Sequence, residues 1–213
     1  QKINDDIFTI YKAWIISEIA KAEKKEYITK LVLERSLFSL GSDISYNAFA
    51  QDSGIGSHNT VYEYIDFLVN AYVLSQIYHF DLHQKKVNYR KNKKIYFNDP
   101  FIYAVIEAWL TGKPRQDFDY LLNPITKSQL IENLTFIKLS EKFADVYYSK
   151  EQNEVDFVVD DTLFEVKYQN KIIPHDYHFL LKQNYRRILI SKDMFKKNEN
   201  IFILPIELFL LSS

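Results

Sequence analysis

Residues 154 to 168, EVDFVVDDTLFEVKY, alternate apolar and polar positions as a half-buried hairpin does, yet they set acids against each other. A two-residue turn at Asp160-Asp161 makes positions summing to 321 face across the strands. Asp156 then lies opposite Glu165, and Glu154 opposite Lys167. Val155, Phe157, Val159, Phe164, Val166 and Tyr168 share the apolar face, which fixes the register, because a one-residue slip would expose it. Like charges facing across a strand pair destabilise it. Two carboxylates about 5 Å apart can instead share a divalent cation, and an oxygen-rich set suits Mg²⁺ or Mn²⁺. Lys167, two residues from Glu165, is spaced to orient a water or to stabilise charge on a phosphate. The bland alternative is a solvated strip, for which an acid and a lysine two apart carry no meaning.

The elements that must hold these residues come from a chain of 213 residues. Apolar residues make up 47% and aromatics 16%, enough for a packed core. A formal charge of -1 gives no global polycationic signature, so any nucleic-acid surface must be local. The absence of cysteine removes disulfides, thiol catalysis and cysteine zinc sites. Ile201 to Leu211, interrupted by Pro205 and Glu207, is shorter than the roughly 20 residues a bilayer span needs. No secretory signal is visible. The expectation is a cytoplasmic protein with no membrane partner. A helical pattern already running at Gln1 suggests a piece of something longer.

Residues 5 to 40 read as helices, with Ile7, Ile10, Trp14, Ile15, Ile16 and Ile19 at helical spacing, then a second run from Ile28 to Leu40. In SYNAFAQDSGIGSHNTVYEYIDFLVNAYVL a helix from Tyr46 to about Ser53 meets a glycine turn, and Ser57 caps a second helix. Val61, Ile65, Leu68 and Tyr72 are expected on its buried face. That is a helix-turn-helix layout. Two strands, Val73 to Phe80 and Lys94 to Phe97, flank the basic loop KKVNYRKNKK and complete a winged helix. The domain boundary falls in TGKPRQDFD. The expected domains are a lead-in at 1–30, a winged helix at 31–112 and a second domain at 113–213. The second domain reads α-β-β-β-α-β: a helix over Gln129 to Phe143, a strand over Ala144 to Ser149, the hairpin, a helix over Ile172 to Tyr185, then strands at Arg187 to Ser191 and Asn200 to Leu204. The fold class is therefore α/β in the broad sense, or α+β.

The Asp156…Glu165-Val166-Lys167 pattern resembles the PD-(D/E)xK nuclease superfamily, with Val155 where the literal proline stands. That resemblance implies a restriction-endonuclease-like domain. In it Asp156, Glu165 and the Val166 carbonyl hold Mg²⁺, Lys167 assists the attacking water, and Glu132 on the preceding helix completes an acidic cluster. The order of SYNAFAQDSGIGSHNTVYEYIDFLVNAYVL, KKIYFNDPFIYAVI, LIENLTF, EVDFVV and FEVKY also resembles the C-terminal half of a prokaryotic, including archaeal, family of AAA+ ATPases. It implies an ATPase module as partner. This chain has no G-x-x-x-x-G-K-[ST] loop, so nucleotide binding is not expected of it.

DNA is the expected partner. Ser57, His58, Asn59 and Thr60 open the recognition helix, which carries no Lys or Arg. Lys85, Lys86, Arg90, Lys91, Lys93 and Lys94 put six positive charges in ten residues, able to follow a phosphate backbone. Their plainer use is to keep an edge strand from aggregating. His175 with His178, and His79 with His83, lack an evident third ligand and are not read as zinc sites. The leading expectation is a Mg²⁺-dependent DNA phosphodiesterase. The alternative is a catalytically inactive DNA-binding or protein-docking module that targets or regulates the ATPase. Self-association into a homo-oligomer stays open.

Overall fold

The structure is a computed structural model, and it describes residues 4–112, 123–197 and 200–212. The boundary segment TGKPRQDFD lies almost wholly outside the described residues. Two compact units form, described in turn below.

The first unit is helical. Helix α1 (Asp5–Lys21) starts at Asn4, whose side chain accepts from the Asp6 amide, and carries Asp5 and Asp6 against the positive end of its dipole. Phe8, Ile15 and Ile19 are its buried positions, whereas Ile7 and Ile10 face outward, 41% and 65% exposed. Helix α2 (Glu26–Phe38) packs on α1, and both fall within this unit. Helix α3 (Tyr46–Ser53) is capped by Ser45, and Gly54 ends it in the left-handed region at φ 72°. Helix α4 (His58–Asn70) is capped by Ser57. Its buried stripe is Val61, Tyr64, Ile65 and Leu68. Tyr72 lies past its end at φ 58° and is 76% exposed, correcting the expectation that it joins that stripe. Helix α5 (Pro100–Thr111) has Pro100 in its first turn and Asp99 as its cap.

Gly54 tests the turn. A Cβ added there meets nothing within 4 Å, so substitution brings only the backbone penalty of the left-handed region. Gly54→Ala should lower stability by about 1 kcal/mol. Gly56→Ala, where φ is not positive and the space is also open, should be near neutral in the same thermal melts.

The cap of α5 has a second task. One Asp99 oxygen accepts from the Phe101 amide at 2.7 Å, and the other accepts from the Tyr11 hydroxyl of α1 at 2.6 Å. That hydrogen bond, with burial and the carboxylate's charge, pushes the Tyr11 pKa from 10.0 up to about 12. Between those values an unfolded chain has lost the phenolic proton and the folded chain has kept it. Stability contributed by this bond is therefore complete below pH 10 and is lost as pH rises towards 12. Tyr11→Phe should cost about 1 kcal/mol at neutral pH and remove that alkaline slope, read as urea midpoints at several pH values.

Strands β1 (Leu74–Asp81) and β2 (Lys86–Phe97) form a hairpin turning at residues 82–85. The basic stretch expected as a loop is thus mostly strand. Residues 77–91 cluster with the second unit.

In that unit, helix α6 (Pro124–Ser140) begins at Asn123, whose Oδ1 accepts from the Ile125 and Thr126 amides. Strands β3 (Tyr147–Lys150), β4 (Glu154–Val159) and β5 (Thr162–Lys167) are antiparallel neighbours. After them come a 3-10 turn (Pro174–Asp176) and a one-turn helix α7 (His178–Leu181). This pair replaces the long helix expected over Ile172 to Tyr185. Arg187 helps to end it by donating to the carbonyls of Leu180, Gln183 and Asn200. Strands β6 (Arg186–Ser191) and β8 (Phe202–Pro205) are parallel to β5 and to each other. The short β7 (Lys196–Lys197) pairs with β8, and α8 (Ile206–Leu211) follows. The sheet order is β2-β1-β3-β4-β5-β6-β8-β7, with His79 of β1 beside Tyr148 of β3. The fold is α+β.

Both faces of this sheet are covered. Leu163, Leu189, Ile203, Val155 and Val158 pack with Tyr177 and Leu180 on one side. On the other, Phe157 meets Phe136 of α6, and Phe164 meets Phe209 of α8.

Candidate active site

The β4–β5 register follows the expected sum: Phe157 pairs with Phe164, Val158 with Leu163 and Val159 with Thr162. Asp160 takes φ 50° in the turn. Beyond Phe157 the ladder stops. There the Val166 amide donates to Asp156 Oδ2 at 2.8 Å, a carboxylate standing where a strand carbonyl would otherwise accept.

The cause lies on the other edge of β4. Tyr147 pairs with Val158 and Ser149 with Val155, so two steps of β3 match three of β4. One extra residue is absorbed at Asp156–Phe157, a bulge that re-aims side chains. Strict alternation, expected to keep Val155 with Phe157, therefore fails, and Val155 shares a core with Val158 instead. Glu154 does not face Lys167. It pairs with Lys150, at 3.2 Å between charged atoms.

On β5, Phe164 turns to the α8 side and Leu163 to the α7 side, so by alternation Glu165 and Lys167 follow Leu163. Lys167 Nζ donates to Glu165 Oε1 at 2.5 Å. Asp156 is 9% and Glu165 3% exposed, while the Lys167 side chain is 30% exposed. The acids lie beneath an amine that reaches solvent.

Burial pulls the Lys167 pKa down. The charge and hydrogen bond of Glu165, then the charges of Asp156 and Asp176, outweigh it and hold the ammonium above its usual value. Lys167 is thus a cation at neutral pH, able to donate to an anion or a water. Asp176 was not foreseen. Its Oδ2 accepts from the Ile173 amide and from Gln169 Nε2, closing the turn before α7. Pro174 followed by an acid two residues later is the helix-start spacing that could have flagged it.

Glu132 is half-buried on α6. Among the described residues no group of three or more His, Cys, Asp and Glu side chains could hold a metal ion, so the expected acidic cluster completed by Glu132 does not form. Phe136 seats α6 on the Phe157 side of the sheet, opposite the side to which Glu165 points.

A pair of acids still fits a hard cation. The Val166 peptide lies between Asp156 and Glu165, its amide held by the first acid. Two carboxylates and the Val166 carbonyl match an ion that keeps several of its own waters, as Mg²⁺ does.

The basic residues divide. Lys85, Lys86, Arg90 and Lys91 are exposed. Lys93 is half-buried over the Tyr46 ring, 5.4 Å from its centroid, and burial lowers its pKa. Lys94 is fully buried and cannot touch a phosphate, which corrects its place in the expected DNA surface. At the start of α4, His58 and Asn59 are exposed, and Ser57 and Thr60 are half-buried. Ser57 Oγ is engaged by the Asn59 amide as the cap.

A family described as a domain of unknown function, DUF8612, matches residues 5–116, just over half of the chain. The chain belongs to that family. The DUF8612 match spans α1 to α5 and the β1–β2 hairpin, and it stops before α6, so it does not include Asp156, Glu165 or Lys167. No curated protein and no solved structure matches the chain. No helix among the described residues is long and apolar enough to cross a membrane.

Proposed function

We propose that residues 124–212 form a PD-(D/E)xK-type nuclease module that hydrolyses DNA phosphodiesters with a divalent cation, joined to a winged-helix-type region that holds the DNA. The observation that carries this reading is the meeting of Asp156, Glu165 and Lys167 where β4 and β5 part. A bound Mg²⁺ would polarise the phosphoryl oxygen and lower the pKa of a water. Glu165 and Asp156 would hold that ion, and the Val166 amide fixes Oδ2 of Asp156. Lys167 would donate to the phosphate or orient the attacking water. Lys85, Lys86, Arg90 and Lys91 are exposed and would follow a DNA backbone, and the exposed His58 and Asn59 would face a groove. An AAA+ ATPase module encoded with this region is the proposed partner.

The test is cleavage of supercoiled, linear, single-stranded and branched DNA with Mg²⁺ or Mn²⁺. Cutting that stops with chelator supports the reading. No cutting of any form by folded protein contradicts it. A second reading has its own observation: the buried Glu165 already pairs with the half-buried Lys167, as a purely structural pair would. On that reading the chain binds DNA or docks on an ATPase without cutting. DNA binding would then survive Asp156→Asn and Lys167→Ala, and fail when Lys85, Lys86, Arg90 and Lys91 are replaced.

A further inference from the structure

One residue from Asp156, a cavity of about 360 Å³ opens within the second unit. That is inside the range of small-ligand pockets, about 300–1,000 Å³. Its apolar lining includes the buried Leu82 and Val155. Gln152, Asn153 and Gln183 also line it, three amides that each offer a donor and an acceptor. Phe179 presents a ring, and Lys182 is an exposed cation at the mouth. Ser149 also lines it. This residue is 1% exposed, and its Oγ has no hydrogen-bond partner among the described residues. A buried hydroxyl left so is costly and indicates a missing polar partner. Glu151, 3.6 Å from His79 Nε2, adds an acceptor.

Amide edges, an aromatic face and one cation are the chemistry that reads a nucleobase and its phosphate. A paired base inside a duplex cannot enter a cavity, because its edge and faces are already used. We infer that this pocket takes one unpaired nucleotide of a DNA strand whose scissile phosphate lies at Asp156. The inference rests on the nuclease reading above and names its substrate class: single-stranded ends, flaps or branch points ahead of intact duplex. Val155 links the two sites along β4, since it lines the pocket and the next residue is Asp156.

The experiment uses the full chain carrying Glu165→Gln, which retains the pocket and blocks cutting. Binding of a fluorescent single-stranded oligonucleotide, of the same sequence as blunt duplex, and of a free deoxynucleoside monophosphate is measured by anisotropy and competition. The single strand should bind at least about tenfold tighter than duplex. Asn153→Ala with Gln183→Ala should erase that preference while duplex affinity holds, a loss on the order of tenfold. Lys182→Ala, at an exposed site, should weaken the single strand alone. Equal binding of both DNA forms overturns the inference, as does a free monophosphate that binds as tightly as the oligonucleotide. A single-strand preference without Mg²⁺-dependent cutting by the unsubstituted chain keeps the pocket and removes the nuclease. Cutting of duplex and single strand alike keeps the nuclease and removes the pocket.

Discussion

Asp156→Asn should reduce cation-dependent DNA cleavage on the order of a thousandfold while leaving the fold intact, because ion binding contributes several kcal/mol of transition-state stabilisation. The substitution is close to isosteric, and the amide oxygen can still accept from the Val166 N–H that now holds Oδ2. Its electrostatic consequences oppose each other. Asp156 attracts the Lys167 ammonium, and neighbouring like charges repel each other. The melting midpoint in chelator should therefore move little. Lys167→Met differs. It strands two carboxylates, 9% and 3% exposed, without their cation, so it should lower stability as well as activity, and added Mn²⁺ should restore part of the stability. The contrast between the two variants separates a site built for an ion from a structural ion pair. An Asp156→Asn protein that cuts DNA normally would remove Asp156 from the chemistry.

Phe157→Ala should cost about 3–5 kcal/mol, the largest single effect on stability expected in the second unit. The ring is fully buried, pairs with Phe164 across the hairpin and lies 6.4 Å from the Phe136 ring. It is also half of the β4 bulge. Removing it leaves a cavity and frees the step that turns Asp156 towards the Val166 amide. Native domains are stable by only about 5–15 kcal/mol, so this loss should be plain in urea unfolding followed by far-ultraviolet circular dichroism. Activity should fall with it even where the protein stays folded. A change below about 1 kcal/mol would mean that Phe157 is not wedged between β4 and α6 as described.

The register of the β4–β5 hairpin was legible because its apolar residues tolerate only one pairing. Helices α3 and α4 and the turn between them were legible for a similar reason. Gly54 and Ser57 each have a backbone or side-chain task that few other residues perform. The bulge was not legible. One additional residue in β4 leaves no mark on composition, and it shows only when Tyr147 and Ser149 are matched to their partners. Because of it, Glu154 turned to Lys150 and Val155 changed cores. The helix expected at Ile172 to Tyr185 had adequate spacing, but tertiary contacts overrode it. Arg187 takes carbonyls of the following turn, and Asp176 closes the preceding one. Lys93 and Lys94 looked like loop charges because strand β2 was expected to start at Lys94, when in fact it begins at Lys86. Glu132 was placed by family pattern and not by geometry, and the packing of Phe136 on Phe157 is what no spacing rule conveys.

The most direct measurement is the anomalous signal of Mn²⁺ in crystals of the unsubstituted chain. One strong peak is expected at Asp156 and Glu165, with Lys167 Nζ drawn off Glu165 and the peak lost in Glu165→Gln. Clear density for an unbroken Lys167–Glu165 bond, and no Mn²⁺ peak there at saturating metal, would contradict the nuclease reading.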